Sequence, residues 1–272
     1  MITFTKATRV LAMLSSVTLS TLLLSTLLFT SSFAQADALT DITDKGVLKV
    51  AVPQDFPPFG SVGPDLKPRG YDIDMAELIG KDLGVTVELI PVTSANRIPF
   101  LNTGKAHLVI SSLGKNPERA KVIDFSQPYA PFFNGVFGPA DAKVSAAADL
   151  ADKVVGVTRG SIEDLELTKI APSSTTIKRF EDNNATIAAY LSGQSDLIAT
   201  GNVVAAAIAE KSDKRSLEVK FLIKNSPCYV GVDKGEDALL TKVNDIIVAA
   251  LQDGRLNQIS ERWLHAPLPA EL

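Results

Sequence analysis

Sulfur and imidazole are scarce in this chain. It has one cysteine, Cys228, in 272 residues. That excludes an intramolecular disulfide and a metal site built from several thiolates. There are two histidines, His107 and His265. They leave little for a histidine-rich metal centre or a serine–histidine triad. His107 reads as the start of a strand and His265 as part of the C-terminal tail. Basic tracts are missing too: 27 Lys and Arg face 31 Asp and Glu, for a net charge of −4. An acidic chain with no basic stripe is a poor nucleic-acid binder.

What is present begins with a leader. "MITFTKATRV" carries Lys6 and Arg9, "LAMLSSVTLSTLLLSTLLF" is apolar and uncharged, and "SSFAQADA" follows with small residues at alternate positions. This order of basic, apolar and small-residue segments is that of a secretory signal peptide, with cleavage expected after Ala36. The apolar run approaches spanning length, so an uncleaved anchor is the alternative; the A-x-A site favours cleavage. No cysteine stands at the cut to carry a lipid. Removing the leader takes Lys+Arg from 27 to 25 and leaves Asp+Glu at 31, so the mature charge is 25 − 31 = −6.

The mature chain alternates short β-rich runs with helical stretches. "VLKVAV" (47–52), "VTVELI" (85–90) and "HLVIS" (107–111) read as strands. Between the first two lies the helix "GYDIDMAELIGKDLG", with Asp72 and Asp74 in its first turn and Gly84 as its stop. Asn116-Pro117 has the form of an N-cap followed by proline at the first helical position. The same grammar restarts after Pro139 with "KVVGV", "TTIKRF" and "DLIAT" as strands, and the chain closes on the amphipathic "DALLTKVNDIIVAALQDG" and "LNQISERWL". Such alternation predicts an α/β protein whose mostly parallel sheets are flanked by helices. Two such units imply two lobes with a ligand cleft between them. The closing segment must pack on one of the two.

The stretch "SSLGKNPER" (111–119) then follows a buried strand at the carboxyl edge of a sheet, where open α/β folds bind ligands. Ser112 offers a hydroxyl. Gly114 lets a ligand approach the backbone N–H. Arg119 offers a planar fork suited to a carboxylate. A surface arginine paired with Asp124 or Glu118 fits the spacing equally well.

The blocks "DFPPFG", "GYDIDMAELIGKDLG", "RIPFLNTGKAHLVISSLGKNPERAKVIDFSQPY", "VGVTRGS" and the closing "QISERWL" resemble the periplasmic solute-binding proteins of amino-acid ABC transporters, the type II two-lobed receptors. The resemblance covers nearly the whole mature chain. It implies a division into a 1–36 leader, 37–137 with 231–272 as lobe one and 138–230 as lobe two, with hinge crossings near Asn134–Pro139 and Tyr229–Asp233. It implies that Ser112, Gly114 and Arg119 hold a ligand α-carboxylate and that Phe56 covers the ligand. Thr158 and Ser161 follow from the glycine-hydroxyl turn of lobe two. "TSANRIP" is similar to the members that bind glutamate and aspartate, which implies contacts from Ser94 and Arg97; by spacing alone Arg97 reads as a solvated residue at a helix start. Four positions depart from the family pattern, one of them His107, which replaces a usual, structural aspartate. Gly201, flanked by Thr200 and Asn202, stands where an aspartate takes the ligand ammonium. Asn183 stands for a lobe-two histidine, and Pro53 for an arginine.

The resemblance implies a monomeric periplasmic receptor without a cofactor. It would close on an amino acid, acidic by the "TSANRIP" match, and present it to a membrane permease. A dicarboxylate or keto acid lacking the amine is a further candidate ligand. One rival is a cyclohexadienyl or arogenate dehydratase-like enzyme on the same scaffold, with Glu163 or Asp164 as acid; both also read as the charged first turn of a helix. A second rival is the sensing module of a receptor.

Overall fold

A computed structural model describes residues 37–211 and 215–271; the expected leader, 1–36, lies outside the described residues. Among them no helix is long and apolar enough to cross a membrane.

The strands are β1 Val47–Val52, β2 Asp55–Phe56, β3 Gly60–Val62, β4 Pro68–Arg69, β5 Thr86–Pro91, β6 Leu108–Leu113, β7 Ile123–Ala130, β8 Phe133–Gly138, β9 Val154–Thr158, β10 Thr176–Phe180, β11 Leu197–Gly201, β12 Glu218–Asn225 and β13 Cys228–Asp233. They build two five-stranded sheets, in the orders β5-β1-β6-β13-β7 and β10-β9-β11-β8-β12, and a small sheet of β2, β3 and β4. In the first sheet β1 runs parallel to β5 and β6, while β13 is antiparallel to β6 and β7. In the second, β9 runs parallel to β10 and β11, while β8 is antiparallel to β11 and β12. Each lobe therefore has one reversed strand, and in each case it is the strand on which the chain enters from the other lobe. The mixed two-lobed α/β fold expected from the alternation is present.

The crossings lie earlier than expected. "NGVFG" and "YVGVD" are buried strands, β8 and β13, so the chain leaves the first sheet after Ala130 and returns to it at Cys228. Sheet membership thus divides the lobes near 131–132 and 226–227, not at 137/138 and 230/231. Apolar runs at a crossing are drawn into whichever sheet can bury them. Strand β12 and the helix Ala38–Lys45 had no counterpart in the sequence reading.

Local chemistry explains the elements that carry the site. The helix Tyr71–Leu83 starts after Gly70 and stops at Gly84, which adopts φ 71°, the left-handed cap that glycine reaches most easily. Its face packs Tyr71, Met75 and Ile79 into the lobe-one core with Leu48, Val50, Leu108 and Ile110. Asn116 caps the short helix Pro117–Ala120 by accepting from the Arg119 N–H at 2.9 Å. This turn carries Arg119 back across the end of β6. In lobe two, Ser161 and Asp182 cap the helices Ile162–Ile170 and Asn183–Leu191. Both helix starts face lobe one. Where the lobes meet, Phe132 packs between Phe59 and Phe56, with ring centroids 5.3 and 6.1 Å away.

Candidate functional site

A small cavity lies between the lobes. Lobe one contributes Phe56, Ser94, Arg97 and Ser112; Phe132 comes from the crossing. Lobe two contributes Thr158, Ser161, Ile162, Glu163, Asn183, Ala199 and Thr200. Counted as space open to the centre of a water molecule, its volume is about 10 Å³, room for roughly one water.

Arg97, at the start of the helix Arg97–Asn102, is only 5% exposed. One terminal nitrogen donates to Ser94 Oγ at 2.9 Å, and its Nε is buried without a partner. A buried guanidinium with an unmet donor is a ready receptor for an anion. The solvated alternative for Arg97 does not hold.

Ser112 lines the cavity at a backbone φ of 45°, a region that residues other than glycine occupy at a cost. Its N–H and hydroxyl both donate to Asp72 Oδ2, at 2.7 and 3.1 Å, and Tyr129 donates to Asp72 Oδ1. Asp72 thus holds Ser112 in its bend. Burial pushes the Asp72 carboxyl up to about 6, against the pull of the Tyr129 and Ser112 hydrogen bonds.

Arg119 is buried as well, at 5% exposure, but its donors go to carbonyls: Gly114 O at 2.7 Å in its own lobe and Gly160 O at 2.9 Å across the cleft. It lies behind the cavity wall and clasps the two lobes. Burial, reinforced by the nearby Arg97 charge, pulls its pKa down. The surface pairing weighed for it is absent, because Asp124 pairs with Lys234 and Glu118 with Lys121. Gly114 sits behind the same wall. A Cβ there would stand 2.5 Å from Ser226 Oγ and 3.2 Å from Ile162 of lobe two. Asn202 is turned away, its side-chain oxygen accepting from Phe133 N–H at 3.3 Å. Of the eleven residues predicted for the site, Phe56, Ser94, Arg97, Ser112, Thr158, Ser161, Asn183 and Thr200 line the cavity, and Gly114, Arg119 and Asn202 do not.

On the lobe-two side the polar groups are tied to each other. The Thr158 hydroxyl donates to Asn183 Oδ1 at 2.7 Å. Asn183 in turn donates through its N–H and its side-chain amide to the two oxygens of Asp55, at 2.7 and 3.1 Å. Asp55 belongs to lobe one, so this is a second clasp across the cleft, placed at a helix N-terminus that favours a carboxylate. Asn116 to Glu166 at 3.2 Å and Lys224 to the Lys115 carbonyl at 2.7 Å add two more. Gly160 turns at φ 72° and a Cβ on it would meet Ala95 Cα at 3.1 Å, which is why the lobes approach closely here.

The sequence reading did not place Phe132, Ile162, Glu163 or Ala199 at the cavity, nor Asp55 behind it. Asp55 had no signal beyond preceding "FPPFG". Phe132 accounts for Gly201: a Cβ at 201 would lie 1.9 Å from the Phe132 ring, so no side chain fits there. Glu163 was weighed as an acid and as a first-turn charge; it is 4% exposed and faces the cavity. Burial pushes its pKa up, while its own N–H, Ser161, Arg97 and Arg119 pull it down.

The sequence matches the description "Bacterial extracellular solute-binding proteins, family 3" over residues 48–266. The chain is 27% identical over 239 residues to the L-cystine-binding protein TcyJ of Escherichia coli K12, covering 86% of this chain and 89% of the relative. Among solved structures, the solute receptor for L-cysteine of Neisseria gonorrhoeae superposes with a TM-score of 0.78 at 31% identity, covering 83% of this chain and 93% of the receptor. The ancestral amino acid-binding protein AncCDT-1, a precursor of cyclohexadienyl dehydratase, superposes with a TM-score of 0.76 at 31% identity, covering 84% of this chain and 99% of that one.

Proposed function

The chain belongs to the bacterial extracellular solute-binding proteins of family 3, and from that premise we propose that it is the receptor of an ABC importer, closing its two lobes on a free amino acid. It is a binding protein and not an enzyme, like its curated relatives. The observation that carries the reading is a pair of buried opposite charges. Arg97 of lobe one and Glu163 of lobe two face one cavity from opposite sides. That arrangement matches the carboxylate and ammonium of an amino-acid zwitterion. The relatives named for L-cystine and L-cysteine support the same ligand class.

In this reading Arg97, Ser94 and Ser112 receive the carboxylate and Phe56 covers the ligand. Thr158, Ser161, Asn183 and Thr200 complete the lobe-two wall. An amino acid is larger than the cavity, so ligand enters with the lobes apart and is then enclosed. Asp55, Arg119 and their partners hold the closed form, and the ligand supplies the remaining preference for it. The closed protein is what a membrane permease receives. The leader directs the chain to the periplasm and is removed after Ala36. Lobe one is then 37–130 with 228–272, and lobe two 133–225.

An acidic amino acid is the second reading, favoured by one observation: two buried guanidinium groups stand at the cleft, Arg97 on the cavity and Arg119 bridging the lobes beside it. Arg119 would then release Gly160 to meet a side-chain carboxylate.

The test is a thermal-shift screen of residues 37–272 against amino acids, dicarboxylates and keto acids. Ligand at 100 times its Kd stabilises the folded state by about 2.7 kcal/mol, roughly 5–10 °C for a chain of this size. A shift with at least one amino acid is expected. A screen in which no amino acid shifts the melt overturns the proposal.

A further inference from the structure

We propose that Glu163 is the acceptor for the ligand's ammonium group, and so the residue that makes this cleft select α-amino acids over carboxylates without an amine. The inference rests on the amino-acid reading above and deepens it.

Glu163 and Asp164 are neighbours in the first turn of the helix Ile162–Ile170, and both are buried. Their surroundings differ. Asp164 is fully employed: it accepts from Arg179 Nε at 2.8 Å and from the Gly160 N–H at 3.0 Å. Glu163 lines the cavity, and among the described residues no lysine or arginine nitrogen comes within 4.0 Å of its carboxylate. Arg97 faces the same space but spends a donor on Ser94, and Arg119 spends its donors on carbonyls. Asp164 therefore has the partners of a structural carboxylate. Glu163 is a buried acid that feels the charges of Arg97 and Arg119 from across the cavity but has no cation among the described residues in contact with it.

The remaining walls offer no alternative. Asp55 is committed to Asn183, and Asp72 to Ser112 and Tyr129. Strand β11 presents Ala199 and Thr200, both neutral, and the Phe132 ring fills the space beside Gly201. Among the described residues that line the cavity, Glu163 is the one carboxylate. A carboxylate taken out of water without a counter-ion is unfavourable, and a ligand ammonium relieves it. A keto acid or a simple dicarboxylate brings no cation and places a second negative charge in the cavity. The consequence is selection at the amine, with the same group repelling an extra carboxylate.

The experiment uses three pairs that differ only by the α-amino group: L-cysteine and 3-mercaptopropionate, L-glutamine and glutaramate, L-glutamate and glutarate. Kd is measured by calorimetry for residues 37–272, as wild type and as Glu163→Gln. The wild type is expected to prefer at least one amino acid over its partner by 100-fold or more. Glu163→Gln is expected to reduce that preference to within a few-fold, by weakening the amino acid. Should the amide fail to fold, Glu163→Met provides the same test by the same ratio. Asp164→Asn should lower the melt and keep the ratio.

A Glu163 variant that retains the wild-type ratio overturns the proposal, as does a wild type that binds each pair equally. In both cases the protein still binds amino acids and the broader reading stands. A wild type that binds no amino acid overturns that reading and this one with it.

Discussion

Cutting the Asp55 clasp tests whether the lobe-to-lobe contacts govern ligand capture. The Asp55 carboxylate receives two hydrogen bonds from Asn183, at 2.7 and 3.1 Å, across 128 residues of chain. When the lobes part, water replaces both. Hydrogen bonds to a charged group contribute about 1.5–3 kcal/mol net of water. Taking the lower value for each gives about 3 kcal/mol in favour of the closed form, on the order of 100-fold in the closing equilibrium. Asp55 does not line the cavity, so Asp55→Ala changes closure without removing a ligand contact. Apparent affinity should fall with the closed population, by up to the same factor of about 100. Asp55→Asn keeps one acceptor and should fall between. Calorimetry with whichever amino acid the screen identifies gives Kd. Small-angle scattering with saturating ligand reports whether the particle remains compact. The reasoning is refuted if Asp55→Ala binds within about twofold of wild type and compacts as fully.

Three further outcomes follow from single residues. Arg97→Ala removes the cavity's guanidinium; losing two charge-assisted hydrogen bonds should weaken an amino acid on the order of 100-fold by calorimetry. Asp72 carries a pH signature. Its carboxyl is raised from 3.8 to about 6, so the folded state holds the proton that the unfolded state sheds first. Its contribution to stability is therefore full below about pH 4 and lost as pH rises through about 6, a decline of about 3 kcal/mol. Urea melts from pH 4 to 7 should show that slope in the wild type, and Asp72→Asn should lack it. Gly201→Ala puts a methyl 1.9 Å from the Phe132 ring and should destabilise by roughly 1–3 kcal/mol through overpacking. In a Phe132→Ala background the same substitution should cost much less, a coupling that chemical denaturation of the four proteins measures.

Much of the fold was legible because its signals are local. Glycine stops, an Asn-Pro helix start and alternating apolar runs act within a few residues of themselves, and the helix Tyr71–Leu83 ends at Gly84 as its sequence implies. The hinge crossings were misplaced because "NGVFG" and "YVGVD" are apolar runs with no local mark of the sheet they join. That choice depends on pairing partners distant in sequence, such as β11 and β12 for β8.

The sequence by itself determined two α/β units and put Arg119 at the carboxyl edge of a sheet; that Arg97 also reaches the space between the units was implied by the family resemblance alone. Only the tertiary structure decided which one faces the cavity. Both arginines stand at the start of short helices, but the Gly160 carbonyl comes within 2.9 Å of Arg119 when the lobes close, while Arg97 keeps an unmet Nε. The same holds for the carboxylates. Asp55, Glu163 and Asp164 are alike as residues and differ only in what the opposite lobe or a neighbouring strand brings to them. Hydrogen-bond partners and desolvation are properties of the assembled cleft, so no window of sequence encodes them.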